Sequence, residues 1–484
     1  MVGRPMRAAA AVVAVAWLLV SCEALSVLQS SRCLRGSSRI PRPFSSGAAS
    51  SRLRALRASS EITQIEVPAE PAASEETFYK LWPALPIAPY SRRKTVVREV
   101  AKGRMWLFEQ KQGILYVQVP VRMTVIRLDS GGLFVYAPVA PTKEVLRTMR
   151  ELESKYGEVK YIVLPTTAVE HKVFAGPFAN AFPEASAWVV PDQWSFPVQL
   201  PLSFLGFGFR KFSSLPPSSS VGSGKETVPW AADGELDHVC LGPLLSKGAG
   251  GGFEEAAFYH RPSRTLLVTD AVVSIPNDPP PILQDDPRPL LFHAKDDAFD
   301  TVQDSAQARR KGWQRIALFG FFFQPAKLDV RTWPEAFAEA KKNPMKGLGW
   351  GGLYPFAWQD GWQASFEALR GNGRLQVAPI LKELIFNRKP AEVLDWVDEI
   401  CEWDFNKVVP AHLDAPVAAS PRDFRKAFDF LIEDPAMKLP LFELFNAKAA
   451  SPKPLDEDCE FLRETSDSLT KSGTTFPAMP PVKR

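Results

Sequence analysis

The chain has 484 residues, which is enough for one large domain or for two or three smaller ones. Hydrophobic residues make up 45% of it and charged residues 23%, values that are ordinary for a soluble globular protein with a filled core. The net charge of +4 arises in the first 60 residues, which hold nine arginines and one acidic residue, whereas the remainder carries 49 basic and 53 acidic residues. This distribution excludes a general affinity of the folded body for nucleic acid.

The first 24 residues have the pattern of a signal peptide. Arg4 and Arg7 precede the small and apolar run 8–20, and small residues follow at Cys22 and Ala24. A helix of that length spans roughly 20 Å, which is short of the ~30 Å hydrocarbon core of a bilayer. We therefore predict a signal peptide (1–24) cleaved after Ala24, and no membrane span in the mature protein.

Residues 25–60 have the composition of an organelle transit peptide. They contain seven arginines and many serines but no acidic residue. A signal peptide followed by a transit peptide resembles the bipartite presequence of algae whose plastids lie inside the endomembrane system, so we expect a plastid (chloroplast) location. One alternative stays open, because Leu19-Val20-Ser21-Cys22 also fits a bacterial lipoprotein signal with Cys22 as the lipidated residue.

The body follows a weakly patterned lead-in, 61–90, and opens with a hairpin and a helix. Two β-rich runs, 124–127 and 133–136, flank an Asp-Ser-Gly-Gly turn and predict the hairpin. Thr142 can cap the helix, which is predicted to end before Gly157.

Strands then alternate with helical stretches. Strands are predicted at 161–164, where Pro165 ends the run, and at 187–190, with a helix-compatible stretch between them. Two more are predicted at 265–269 and 408–412, on either side of a mostly helical insertion at about 275–402. Strand–helix–strand order with short loops is typical of a layered α/β fold.

The C-terminal residues 447–484 are rich in Ser, Thr, Pro and acidic residues, which predicts a disordered tail. After residue 60 the chain has three scattered cysteines, Cys240, Cys401 and Cys459. They lack the spacing of a disulfide framework or a zinc ribbon and are interpreted as ordinary thiols.

Three candidate functional residues stand where predicted strands give way to loops, which is where such folds gather functional side chains. They are His171, Asp270 and His412. The other three histidines have no defensible partner spacing and are interpreted as structural: His238, His260 and His293.

The order of these residues resembles that of metallo-β-lactamase-type hydrolases, which carry a His-x-His-x-Asp-His motif, a later His, a strand ending in a metal-bridging Asp, and a Pro-Gly-His loop. Residues 162–171, 266–270 and 409–412 lie at the corresponding places. The stretch 119–432 also looks like an uncharacterised (domain of unknown function) family of cyanobacteria and plastids. The resemblance implies a metallo-β-lactamase-like αββα sandwich over residues 91–446, with the helical insertion inside it.

The departures from this pattern fall on one half of the metal centre. In the superfamily three histidines hold one metal ion, but here the first two positions are Thr166 and Ala168. The third falls in the loop Gly248–Phe253, which has no histidine. Thr and Ala supply neither the imidazole nitrogen nor the thiolate sulfur that zinc prefers, so the resemblance implies that this half of the centre is lost.

The other half is retained in the resemblance, at Glu170, His171, Asp270 and His412. Two imidazoles with one or two carboxylates are a complete ligand set for a single Zn²⁺, Fe²⁺ or Mn²⁺. Glu170 stands where the family has Asp, and it could instead orient the imidazole of His171. We expect at most one bound metal ion and no other cofactor.

Two classes of function follow. In one, the protein is a mononuclear metal-dependent hydrolase acting on a small molecule, the ion polarising the substrate or activating water. In the other, it is a metal-free descendant that binds a small-molecule ligand or a protein partner in the old groove. The lost histidines argue against ordinary dinuclear hydrolase activity, and no catalytic residue is identified.

The predicted presequence can be tested by fusing residues 1–60 to a fluorescent reporter in an alga with a plastid inside the endomembrane system. We expect plastid fluorescence and two cleavage steps, because the two segments carry separate targeting patterns. Fluorescence microscopy and N-terminal sequencing measure both. A mature N-terminus at a lipid-modified Cys22 would refute the plastid prediction.

Overall fold

The computed structural model describes most of the body of the chain. The described residues are 67–69, 71–72, 74–79, 88–89, 92–114, 116–195, 202–207, 212–219, 228–231, 234–245, 252–349, 351–433 and 456–484. The predicted signal and transit peptides lie outside the described residues, as does most of the loop Gly248–Phe253.

A seven-stranded sheet forms in strict chain order from the described residues of the N-terminal half. The first four strands pair antiparallel, and β4 to β7 pair parallel. The strands are β1 (Val96–Ala101), β2 (Met105–Ile114), β3 (Val117–Arg127), β4 (Leu133–Tyr136), β5 (Val159–Leu164), β6 (Ser186–Val189) and β7 (Phe212–Ser214).

A second sheet has six strands within the described ranges, in the order β15-β14-β11-β10-β9-β8. Strands β11 and β14 pair parallel, and the other pairs are antiparallel. A small hairpin, β12–β13, lies in the insertion. The strands are β8 (Ser218–Ser219), β9 (Leu236–Leu241), β10 (Glu255–His260), β11 (Thr265–Val268), β12 (Leu328–Val330), β13 (Phe356–Trp358), β14 (Lys407–Pro410) and β15 (Val417–Ala418).

Two helices follow the first sheet's strands, and most others belong to the insertion. The helices in the described residues are α1 (Lys143–Tyr156), α2 (Val169–Asn180), α3 (Arg288–Ala294), α4 (Ala306–Phe322), α5 (Trp333–Ala340), α6 (Trp362–Arg370), α7 (Pro379–Leu384), α8 (Pro390–Cys401), α9 (Pro421–Lys426) and α10 (Glu460–Lys471). None of these described helices is long and apolar enough to cross a membrane.

Three buried clusters define four layers. The two sheets face each other across aromatic side chains, with Phe258 of β10 packed against Phe134 and Tyr136 of β4 at ring separations of 5.5 and 5.6 Å. The outer face of the first sheet packs on α1 and α2. The outer face of the second packs on the insertion helices. This helix–sheet–sheet–helix order confirms the predicted αββα sandwich with a helical insertion.

Local signals explain why α1 forms where the sequence predicts it. The side chain of Thr142 accepts a hydrogen bond from the Val145 amide, and Gly157, with a φ of 99°, ends the helix. Val145 and Met149 lie on one buried face against the sheet. The predicted helix is confirmed, including its cap.

The prediction of a disordered tail over 447–484 is wrong for residues 456–484. Helix α10 buries Phe461 and Leu462 in the cluster that covers the second sheet. Val482 then pairs with Ile432, and its amide donates to the Leu431 carbonyl. The polar composition of this segment concealed an amphipathic helix whose few apolar residues fill the core.

The three thiols predicted to be ordinary are free cysteines, with Cys459 buried and the other two partly buried.

The inter-sheet aromatic cluster can be tested with Phe258→Ala. Because Phe258 is fully buried between the sheets, we expect a loss of about 3–5 kcal/mol in the free energy of unfolding, measured by urea denaturation. The control is Phe299→Ala, whose ring is 48% exposed, with an expected change within about 0.5 kcal/mol. Similar losses in both variants would contradict the assigned core.

Candidate metal centre

The β5–α2 loop brings the first sheet against the second at one edge. Thr166, just after β5, pairs with Glu255 at the start of β10, and the Thr167 amide donates to the Glu254 carbonyl. The Ala256 amide donates to the Pro165 carbonyl at 2.7 Å. Helix α2 starts immediately beyond this junction, so its first residues face the loops of the second sheet.

Four side chains converge at this edge. Glu170 and His171 are the second and third residues of α2, and Asp270 and His412 follow the neighbouring parallel strands β11 and β14. Each offers one ligand atom, and these atoms all lie within 4.8 Å of one another. The structure thus brings together all four residues that the sequence proposes as ligands. Their role as metal ligands stays a prediction.

Three of the four ligand atoms form a tight group. The Nε2 atom of His412 lies 3.2 Å from Nε2 of His171 and 3.2 Å from Oδ1 of Asp270. The Oε1 atom of Glu170 is farther from it, at 4.0 Å. In tetrahedral sites with zinc–nitrogen bonds of about 2.0–2.1 Å, neighbouring ligand atoms lie roughly 3.3 Å apart. The spacing of the three atoms therefore fits ligands of a single ion.

The hydrogen bond on the far side of the His412 ring fixes its tautomer. Its Nδ1 lies 2.8 Å from the carbonyl oxygen of Pro120, which can only accept, so Nδ1 carries the proton. In the neutral ring the Nε2 atom keeps its lone pair toward the cluster, whereas in the protonated ring it donates to Oδ1 of Asp270. Metal-binding histidines are commonly oriented by such a bond.

Two atoms of the cluster have no hydrogen-bond partner among the described residues, Nδ1 of His171 and Oδ2 of Asp270. Both are buried, and buried polar atoms without partners are rare in folded proteins. A carboxylate oxygen left open beside two imidazoles is consistent with a site built for a cation rather than a packed core.

Burial and mutual charge set the protonation of the four groups. Burial, reinforced by the charge of Asp270, raises the pKa of Glu170 to about 7. Burial lowers the pKa of His171 to about 3, so this imidazole is neutral. For His412 burial acts to lower the pKa, but the hydrogen bond and charge of Asp270 outweigh it and raise the pKa. Burial acts to raise the pKa of Asp270, and His412 in turn holds it below its usual value.

Glu255 is a positioning residue that the sequence reasoning missed. Its side chain is fully buried, and its carboxylate accepts hydrogen bonds from the amides of Thr269, Asp270 and Ala271 at 2.6, 3.0 and 2.9 Å. These bonds fix the loop that carries the Asp270 side chain. The available signal was an acidic residue in an otherwise apolar strand.

Arg122 holds the loop of His412 in a similar way and was also missed. Its side chain is 1% exposed on β3, and its guanidinium donates to the carbonyl oxygens of Pro410 and Leu413, on both sides of His412. The Glu109 carboxylate accepts from its Nε at 2.9 Å and fixes the guanidinium. Leu413 has a φ of 57°, a left-handed conformation unfavourable for a residue with a side chain. The carbonyl bond from Arg122 stabilises this turn.

Where the resemblance implies missing ligands, the loop is held by hydrogen bonds of Thr166 and its neighbour Thr167, and Ala168 has no polar side chain. The Thr166 hydroxyl accepts from the Ala168 amide at 3.1 Å, and its carbonyl accepts from the Gln193 side chain at 2.8 Å. The Thr167 hydroxyl donates to the Gly252 carbonyl at 2.9 Å. These bonds keep the loop shape, but they supply no imidazole or thiolate donor.

The three remaining histidines lie outside the cluster. His238 stacks on Phe258 with ring centroids 5.1 Å apart, and its Nε2 lies 3.0 Å from the Pro216 carbonyl. His260 Nδ1 lies 2.6 Å from the Ser263 hydroxyl. His293 is buried among aromatic rings of the insertion. Among the described residues no other group of three or more ligand side chains lies close enough together to hold an ion.

Two facing sheets between helical layers, with histidines and carboxylates at the strand ends, define a protein of metallo-β-lactamase-like fold with a candidate metal centre. The chain belongs to the family of a domain of unknown function (DUF4336), whose model matches residues 102–430. A search of curated proteins finds no match.

Solved structures give low-identity matches. DIM-1 metallo-β-lactamase exposed to ceftazidime matches with 11% identity and a TM-score of 0.33, covering 69% of this chain and 97% of that chain. A diflavin flavoprotein A 5 fragment from Nostoc sp. PCC 7120 matches with 12% identity and a TM-score of 0.32, covering 70% and 98%. A flavo di-iron protein variant from Thermotoga maritima matches with 8% identity and a TM-score of 0.33, covering 70% and 61%.

The role of Arg122 can be tested with Arg122→Met, which removes the bonds on both sides of His412. We expect metal affinity to fall about 10–100-fold, the range observed when outer partners of metal ligands are removed. Competition with a chromophoric chelator measures the affinity, and circular dichroism checks that the protein is folded at the same temperature.

Arg127→Met on the same strand is the matched control, because Arg127 is 30% exposed and pairs with Asp129. It should leave the metal affinity unchanged. A folded Arg122→Met protein with wild-type affinity would mean that Arg122 supports the fold alone.

Proposed function

We propose that this protein is a mononuclear metal-binding protein of the plastid, in which Glu170, His171, Asp270 and His412 surround one divalent ion. The observation that carries the proposal is the convergence of their ligand atoms within 4.8 Å of one another. Two imidazole nitrogens and carboxylate oxygens suit Zn²⁺, Fe²⁺ or Mn²⁺. The plastid location is part of the proposal and rests on the composition of residues 1–60.

The number of metal ions that can bind follows from the ligand atoms available. Thr166 and Ala168 stand where two further imidazoles would be needed. The hydroxyl and the carbonyl oxygen of Thr166 already accept hydrogen bonds within the structure. A second ion would therefore lack nitrogen ligands. We infer that ordinary dinuclear hydrolysis is not the activity of this protein.

We further propose that the centre performs a mononuclear, metal-dependent hydrolysis of a small molecule. Bound metal would supply Lewis acidity and lower the pKa of a coordinated water. Glu170 supports this function, because its carboxylate lies farther from His412 Nε2, at 4.0 Å, than the ligand atoms of His171 and Asp270, at 3.2 Å. Held less closely than the other ligands, it can accept a proton from a coordinated water and return it to the leaving group. The Pro120 carbonyl meanwhile holds the His412 ring through Nδ1.

The proposal is tested by metal content and titration calorimetry of the purified protein under reducing conditions. We expect one equivalent of metal at most, and His171→Ala or His412→Ala should weaken binding by about 100-fold or more because each removes one of few ligands. Affinity should fall below about pH 6, where protons compete for the imidazoles.

His260→Ala is the matched control, since it removes a buried imidazole outside the cluster and should leave binding unchanged. Two equivalents of metal would show that a ligand has been missed. A wild-type protein that binds none of the three metals would overturn the metal proposal and favour the ligand-binding descendant.

A further inference from the structure

A buried lysine, Lys111 of β2, lies near the metal centre. This lysine is only 3% exposed, yet its ammonium makes no hydrogen bond or ion pair with any described residue. Lysines are almost never fully buried unless they are paired. An unpaired buried ammonium costs stability, so its presence indicates an anion that the described residues do not provide.

The two carboxylates whose charges act on Lys111 are already paired with other cations. Asp285 pairs with Arg92 and, at 3.1 Å, with Lys94. Asp286 accepts from the guanidinium of Arg288 at 2.9 and 2.7 Å.

The balance of charge among the described side chains of this cluster is therefore positive. Four cations face two carboxylates, and the charges of both carboxylates and both arginines act on the Lys111 ammonium. Most of these side chains are largely buried, with exposed fractions of 15% and 16% for the two arginines. Among the described side chains the surplus is two positive charges, one of them on Lys94, which is 44% exposed, and it matches a divalent oxyanion.

The cluster is connected to the metal centre through the backbone of β2 and β3. Lys111 pairs across the sheet with Pro120, whose carbonyl oxygen accepts the hydrogen bond from His412. The next residue, Gln112, donates from its side chain to the carbonyl of Glu170 at 3.3 Å. Paired residues in antiparallel strands have Cα atoms about 4.5–5.5 Å apart. Lys111 is thus a near neighbour of the groups that carry two of the proposed ligands.

We propose that Lys111, flanked by Arg92 and Arg288, is a binding site for a phosphate-type dianion, and that this dianion is a group of the molecule on which the metal centre acts. The site would select substrates that carry a phosphate monoester. This substrate class rests on the proposed function, whereas binding of the anion does not, because it needs no metal.

The test uses inorganic phosphate as the probe and thermal unfolding as the readout, on protein kept metal-free with a chelator. We expect phosphate to raise the Tm of the wild-type protein in a concentration-dependent way, since it binds the native state. Lys111→Met should unfold at a higher Tm than wild type without phosphate, because it removes an unpaired buried charge. It should also lose at least about ten-fold in phosphate affinity, as expected when one charge of a buried ionic contact is removed.

Lys102→Met, in the exposed turn before β2, is the control and should match wild type in both measurements. Acetate at equal ionic strength tests the dianion, and a response equal to that of phosphate would overturn it. Two results would overturn the proposal and give Lys111 a role in the fold alone. One is a Lys111→Met protein that is less stable than wild type, and the other is a wild-type Tm that does not change with phosphate.

Metal titration of Lys111→Met separates the two proposals. If this variant binds one equivalent of metal but does not respond to phosphate, both proposals are supported. If the wild type binds no metal, the proposed function fails, and the phosphate measurement alone decides whether the anion site exists.

Discussion

The structure depends on the way one buried residue, Glu255, joins three segments of the chain. Its backbone pairs with Leu241 inside the second sheet and with Thr166 at the end of the first. Its carboxylate accepts three amide hydrogen bonds from the loop after β11. Without this junction nothing would fix the position of the start of α2 relative to the Asp270 loop, and the four candidate ligands would not lie together.

The sequence predicts the elements whose signals are local. Thr142, Gly157 and Pro165 mark helix and strand ends by their own conformational preferences, and the structure has those ends close to the predicted places. The structure also brings together the four residues that the sequence proposes as ligands. Strands β1, β2, β9 and β10 were not predicted. Strand β2 shows why, because it buries four consecutive polar or charged residues, Glu109, Gln110, Lys111 and Gln112. Such residues become acceptable in a core only through partners far along the chain, as Arg122 does for Glu109.

The two halves of this region, the β5–α2 loop and the ligand group, have different physical characters. Around Thr166 and Thr167 each polar group is used in bonds that maintain the loop, so the loop keeps its shape without an ion. Around His171 and Asp270 buried atoms are left without partners, which is costly unless something occupies the space between them. The first half is a structural element, and the second half retains the features of a binding site.

The parallel pairing of β11 with β14 also bears on the order in which the molecule assembles. The entire helical insertion lies between these strands, so Asp270 and His412 are far apart in sequence although they are neighbours in space. Closing so long a loop adds little to the equilibrium cost, because that cost grows only logarithmically with length. It does slow folding, since distant contacts form late. The ligand group would then be complete only after the C-terminal part of the chain has been synthesised, so any metal ion would bind after the fold has closed.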